Sequence, residues 1–109
     1  MAGTFTRKVL AFLQMPNSKG TLYDPSGSSN GLVHTIMIHN TNTSTETVVL
    51  NYHNGTNEFE IYKEDILAND TVVIPFANEG FVVMNAGKIT GNTTTASKVT
   101  IYISGSEET

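Results

Sequence analysis

Apolar and polar residues alternate with a period of two through most of this chain. Leu32, His34, Ile36 and Ile38 stand against Val33, Thr35, Met37 and His39, the period of a half-buried strand rather than the 3.6 of a helix. The even-numbered set is expected to face inward. The same period recurs in Val48, Leu50 and Tyr52, in Val72, Ile74 and Phe76, and in Val99, Ile101 and Ile103 against Thr100, Tyr102 and Ser104. In a further run, Phe59 and Ile61 are expected in the core, with Glu58 and Glu60 in solvent. Phe59, Tyr62 and Ile66 also fit one helical face, so a short helix over 59–67 is the competing reading there.

Between these runs lie chain breakers: Asp24-Pro25-Ser26-Gly27, the polar stretch 40–47, Asn54-Gly55, Asn69-Asp70, Asn78-Glu79-Gly80 and the stretch 91–97. The Asn54-Gly55 pair predicts a tight hairpin within Val48 to Tyr62, because both residues accept positive φ. Met1 to Pro16 is apolar on both parities, with Val9, Ala11 and Leu13 against Leu10 and Phe12. Either a strand covered on both faces or an arm reaching a neighbouring subunit accounts for that. The spacing of strands and turns predicts one all-β domain, a single antiparallel β-sandwich, jelly-roll-like or immunoglobulin-like. Residues 1–20 form its N-terminal strand or arm and 21–108 its core.

Composition narrows the function classes. With 109 residues, 39% hydrophobic and 15% charged, the chain supports one modest core and is neither collagen, coiled coil nor charge-rich disorder. Thr, Asn and Ser number 16, 11 and 8, residues that favour turns or, for Thr, strands over helix interiors. The absence of cysteine excludes disulfides, thiolate metal sites and thiol catalysis. A net charge of -4 argues against nucleic acid as a partner. No apolar run reaches the roughly 20 residues of a membrane helix, and the first 16 residues do not read as a secretory leader. The positive charge is concentrated early: Arg7, Lys8 and Lys19 precede every acidic residue.

The motifs that suggest chemistry have simpler explanations. Gly27-Ser28-Ser29-Asn30-Gly31 matches the nucleophile-elbow pattern, but a strand rather than a helix follows Ser29. His34, His39 and His53 lack the spacing of a zinc site. By parity, His34 belongs to the core or its rim, while His39 and His53 point outward and would make a two-histidine site if their strands were adjacent. Glu58, Glu60, Glu64 and Asp65 read as a solvated strand face, and Asn69-Asp70-Thr71 as an Asx turn rather than calcium ligands. Four Asn-x-Ser/Thr sites, at Asn42, Asn54, Asn69 and Asn92, follow from composition. No catalytic residue, metal site or cofactor is expected, and the chain is expected not to be an enzyme.

Several segments, taken in order, resemble small β-sandwich structural proteins of tailed-phage virions. They are Thr21-Leu22-Tyr23-Asp24-Pro25-Ser26-Gly27, the strand from Val33 to Thr41, Thr47 to Leu50, Leu67 to Ile74, Met84 to Ile89, and Val99 to Glu108. The opening is one residue shorter before proline than the usual pattern, and Met1 to Gly20 lies outside the likeness. The resemblance implies a capsid decoration or cement protein, or a head or tail accessory, assembled in the host cytoplasm and placed on the outer surface of the virion. Its partners would be the major capsid protein or other virion subunits, together with further copies of itself, a trimer being favoured, and neither nucleic acid nor membrane. The alternative is a tail or receptor-contacting module that binds glycans through Asn, Thr and Ser loops. For the adhesive role the candidate contact residues are Arg7, Lys8, Leu10 and Phe12 of the N-terminal segment, with Val33, Met37 and Val49 on the non-core parity of their strands. Val73 and Tyr102 share that parity.

Overall fold

The computed structural model describes residues 5–77 and 80–108. Among the described residues nine strands occur in order: β1 Phe5–Gln14, β2 Gly20–Tyr23, β3 Asn30–Asn40, β4 Glu46–His53, β5 Glu58–Ile66, β6 Thr71–Pro75, β7 Phe81–Val83, β8 Lys88–Thr93 and β9 Val99–Glu108. Among the described residues there is no helix, and 59–67 falls in strand β5 and the turn after it.

Two antiparallel sheets form. One has the order β1-β9-β3-β6, with β7 continuing beside β3, and the other has the order β2-β8-β4-β5. The pairings are nested: β4 with β5 innermost, β3 with β6 around it, then β2 with β8 and β1 with β9. Successive strands from β1 to β4 alternate between the sheets. The chain therefore runs as one long hairpin rolled over itself, which is a jelly roll and not the sequential hairpins of an immunoglobulin sandwich. A consequence is that β1 lies at one lateral edge, against β2, while β5 lies at the other.

The core between the sheets is built from the inward parities. Ile36 and Ile38 of β3, Val48 and Leu50 of β4, Ile89 of β8, and Val99, Ile101 and Ile103 of β9 are all buried, joined by Met15, Leu22 and Ile66. At strand ends the same parities reach polar groups, namely Asn40, Glu46 and Glu107, each also buried. Their partners are mostly loop groups. Asn40 Nδ2 donates to the carbonyls of Ser44, Ile66 and Leu67, and Glu46 accepts from Asn42 Nδ2 and Thr95 N–H at 2.9 and 2.8 Å. These side chains seal the ends of the sandwich, where a hydrocarbon would leave loop amides and carbonyls unsatisfied.

Four β-bulges break the alternation, and they correct the expected facing of several residues. On β3 the register slips between Val33 and Thr35, leaving His34 as the extra residue. Val33 is consequently fully buried, and His34, expected at the core or its rim, is exposed. On β5 the extra residue is Ile61. There Phe59 and Ile61, expected inside, are 55% and 43% exposed, while Glu58 is half-buried on the outer side of its sheet. The remaining bulges fall at Leu10 in β1 and Leu22 in β2. The β4–β5 connection is a four-residue loop, 54–57, rather than a two-residue turn. Asn54 Oδ1 accepts the amides of Thr56 and Asn57, and Gly55 sits at φ 100°.

Candidate functional site

The outer face of the five-stranded sheet carries the most concentrated exposed apolar surface. Register places Phe12 opposite Tyr102, Tyr102 opposite Met37, and Met37 opposite Val73, so one row crosses β1, β9, β3 and β6. Phe12 is 68% exposed, Val73 55% and Met37 41%. Phe12 and Tyr102 meet edge to face with centroids 5.7 Å apart. The next row toward the C-terminal end of β9 holds Val9, Ser104, Thr35 and Pro75. The row on the other side is polar: Gln14, Thr100, His39 and Thr71.

Beside this patch lies a groove of about 490 Å³ whose walls include Arg7, Val9, His34 and Tyr102 and whose floor is Ser104 and Gly105 of β9. Its origin is local. Both strands flanking β9 bulge at this level, at Leu10 and His34 on either side of Ser104, and the next residue of β9 is Gly105. A Cβ on Gly105 would run into the Leu32 carbonyl oxygen, so β9 can pass between the bulged strands only with glycine here. Arg7 forms no ion pair with any described residue; the ion pairs found are Lys8–Glu107 and Lys19–Glu58.

Lys8 turns inward to a buried carboxylate. Glu107 Oε2 accepts from Tyr23 Oη at 2.6 Å, and its Oε1 accepts from Ser26 Oγ at 2.8 Å and Lys8 Nζ at 3.1 Å. Burial by itself would raise the Glu107 pKa, but the donors from Tyr23, Ser26 and Lys8 outweigh it and hold the group down at about 2. Burial, and then the same contact with Glu107, push the Tyr23 hydroxyl above its ordinary range. This cluster ties β1 and β9 of one sheet to β2 of the other.

Of the seven candidate contact residues, the structure brings Arg7 and Phe12 together with Met37 on one face. Lys8 is committed to Glu107, Leu10 is half-buried against the core, Val33 is buried within it, and Val49 is half-buried in the other sheet. His39 and His53 belong to different sheets, so no two-histidine site forms. His39 Nδ1 instead meets Thr71 Oγ1 at 2.7 Å, and His53 Nδ1 accepts the Gly55 amide. Ser29 is buried, at the head of β3, and its carbonyl accepts from Asn85 Nδ2. Three of the four clustered acids have near neighbours as partners: Glu58 has Lys19 and Thr90, Glu64 has Tyr62, and Asp65 has Thr47. The Lys19 contact, then Thr90, lowers the Glu58 pKa. Among the described residues no three His, Asp or Glu side chains converge as a metal site requires.

The sequence reading missed the buried carboxylates and the groove. Parity alone could have flagged the former: Glu107 continues the inward series Val99, Ile101, Ile103, Gly105, and Glu46 precedes Val48 and Leu50. The groove had no local signal, since it depends on two bulges meeting one glycine.

Fold and surface together define a jelly-roll domain whose five-stranded sheet leaves an apolar outer face uncovered by any described residue. No protein-family model matches the chain, and no curated protein matches it. Among solved structures, that of infectious bursal disease virus, Gt strain, aligns over 96% of this chain and 30% of the matched chain, at 10% identity and a TM-score of 0.42. This chain thus spans about 30% of that one, and a likeness this loose carries no functional argument.

Proposed function

We propose that this chain is a non-enzymatic structural protein of a bacteriophage particle, a capsid decoration protein that binds the assembled head from outside and stabilises it. The observation that carries the reading is the Phe12–Tyr102–Met37–Val73 row, which leaves large apolar side chains in water on a regular, rigid face. Patches of this kind mark interaction surfaces. Four strands about 4.8 Å apart and eight residues rising about 3.3 Å each give a flat area of roughly 500 Å², and side-chain relief brings this toward the ~800 Å² per partner of a standard interface. The resemblance of residues 21–108 to phage virion sandwich proteins supplies the context. The jelly roll recurs among viral coat proteins, lectins and cupins and selects none of them by itself.

The test is co-sedimentation of the purified protein with phage heads that lack it, followed by cryo-electron microscopy of the bound particles. Stoichiometric decoration is expected, with Met37→Glu or Val73→Glu weakening binding by about tenfold or more, since each places a charge in a desolvated contact. Heads that stay bare, or glycan capture by the same face, would overturn the reading.

A further inference from the structure

A second exposed apolar surface lies at the opposite edge of the sandwich and carries the opposite charge. On the edge strand β5, Phe59 and Ile61 are exposed on either side of Glu60, which is exposed and accepts no hydrogen bond from any described residue. Across the molecule, the β1 side of the five-stranded sheet presents Phe12, Val9 and Tyr102 around the Gly105 groove, with Arg7 at its wall. One surface is apolar with an anion that pairs with no described residue, the other apolar with a cation that pairs with no described residue. Because β1 and β5 occupy opposite lateral edges, a single chain cannot bring the two together.

We propose that the chain assembles head to tail with further copies of itself, the β5 edge of one copy packing on the Arg7–Phe12–Tyr102 side of the next. Glu60 then meets Arg7 at the groove, and Phe59 and Ile61 cover Phe12 and Val9. Contact between two different surfaces of identical chains is heterologous and closes into a ring when the rotation per copy divides a full turn. Such a ring covers the Phe12–Tyr102 end of the row and leaves Met37 and Val73 open, so the capsid contact of the reading above is then made by the Met37–Val73 ends of several copies together. The proposal rests on that reading only for this last role; the self-contact stands on the two surfaces.

The test exploits the absence of cysteine in the sequence. Arg7→Cys and Glu60→Cys chains are prepared separately and oxidised alone and as a mixture. The mixture is expected to give a disulfide-linked dimer that neither chain gives alone. A mixture that stays monomeric, or an Arg7→Cys chain that links to itself as readily, overturns head-to-tail packing. Sedimentation equilibrium supplies the second readout. The unmodified chain should exceed monomer mass as concentration rises, Arg7→Glu or Glu60→Arg should weaken assembly by about tenfold, and the double reversal should restore it. Monomer mass throughout, or assembly indifferent to either single reversal, also overturns it. Circular dichroism of each exposed-site variant checks that the fold is kept. Cross-linking in the mixture without binding to phage heads would sustain the self-contact and remove the virion role; the converse would do the reverse.

Discussion

At the scale of single residues, Glu107 concentrates more physics than any other side chain. It is 5% exposed, it is ionised, and its donors come from β1, β2 and the loop after β2. Its pKa of about 2 in the folded chain lies below the ordinary 4.5. A group depressed in this way stabilises the fold fully above about pH 4.5, and the contribution disappears as pH falls from there toward 2. The linkage amounts to on the order of 3 kcal/mol. Glu46 and Glu58, also lowered, add to the loss over the acid range. Glu107→Gln keeps the shape but gives up the ion pair with Lys8, so it is expected to cost about 2 kcal/mol at pH 7. It should also flatten the fall in the urea midpoint between pH 4.5 and 2. Parallel slopes for the variant and the parent chain would show that the acid loss arises elsewhere.

At the scale of elements, bulges decide which side of a strand is wet. The alternation in β3 is regular in sequence, yet Val33 and Ile36 face the same way because His34 is looped out between them. Val33→Asp is therefore expected to unfold the chain or cost about 4 kcal/mol, the penalty of a buried unpaired charge. Met37→Glu on the same strand should stay within about 1 kcal/mol of the parent. Thermal denaturation followed by circular dichroism distinguishes them, and equal losses would mean that the bulge is misplaced. Strand existence was legible from the pattern: β3, β4, β6 and β9 coincide with the alternating runs. Facing was legible only up to each bulge. In β5, Phe59 and Ile61 read as core but stand exposed: Ile61 is the extra residue of the bulge, and Phe59, although opposite Tyr52, lies near the end of an edge strand that no further strand covers.

At the scale of the whole molecule, the nested pairing joins the first and the last strand in one ladder. β1 pairs with β9 along almost its full length, and Met15 just beyond it is completely buried. The N-terminal segment is thus an edge strand of the sheet over the described residues, with Leu10, Ala11 and Leu13 against the core and Val9 and Phe12 outside. Deleting residues 1–16 strips the ladder from one side of β9 and removes a buried methionine worth about 2–5 kcal/mol. The truncated chain is expected to lose its cooperative urea transition and to aggregate, as judged by light scattering. A soluble product with an unchanged midpoint would show that β1 is dispensable. Such a deletion also cannot serve as a clean test of partner binding, because it damages the fold it is meant to probe.

The sequence by itself determined that this protein is built from strands, where most of them break, that thiol chemistry is absent, and that Met37, Val73 and Tyr102 lie off the core parity of their own strands. Those properties are local: a two-residue period, a turn-forming dipeptide or a missing residue type needs no distant partner to have its effect. Only the tertiary structure decided the rolled pairing order, the positions of the bulges, the burial of Val33 and Glu107, and the groove between Arg7 and His34. Each of these depends on which strand lies alongside which, and β1 meets β9 from the far end of the chain. Register across such a separation is set by the summed ladder hydrogen bonds and core packing of both strands, and no short window of sequence contains that sum.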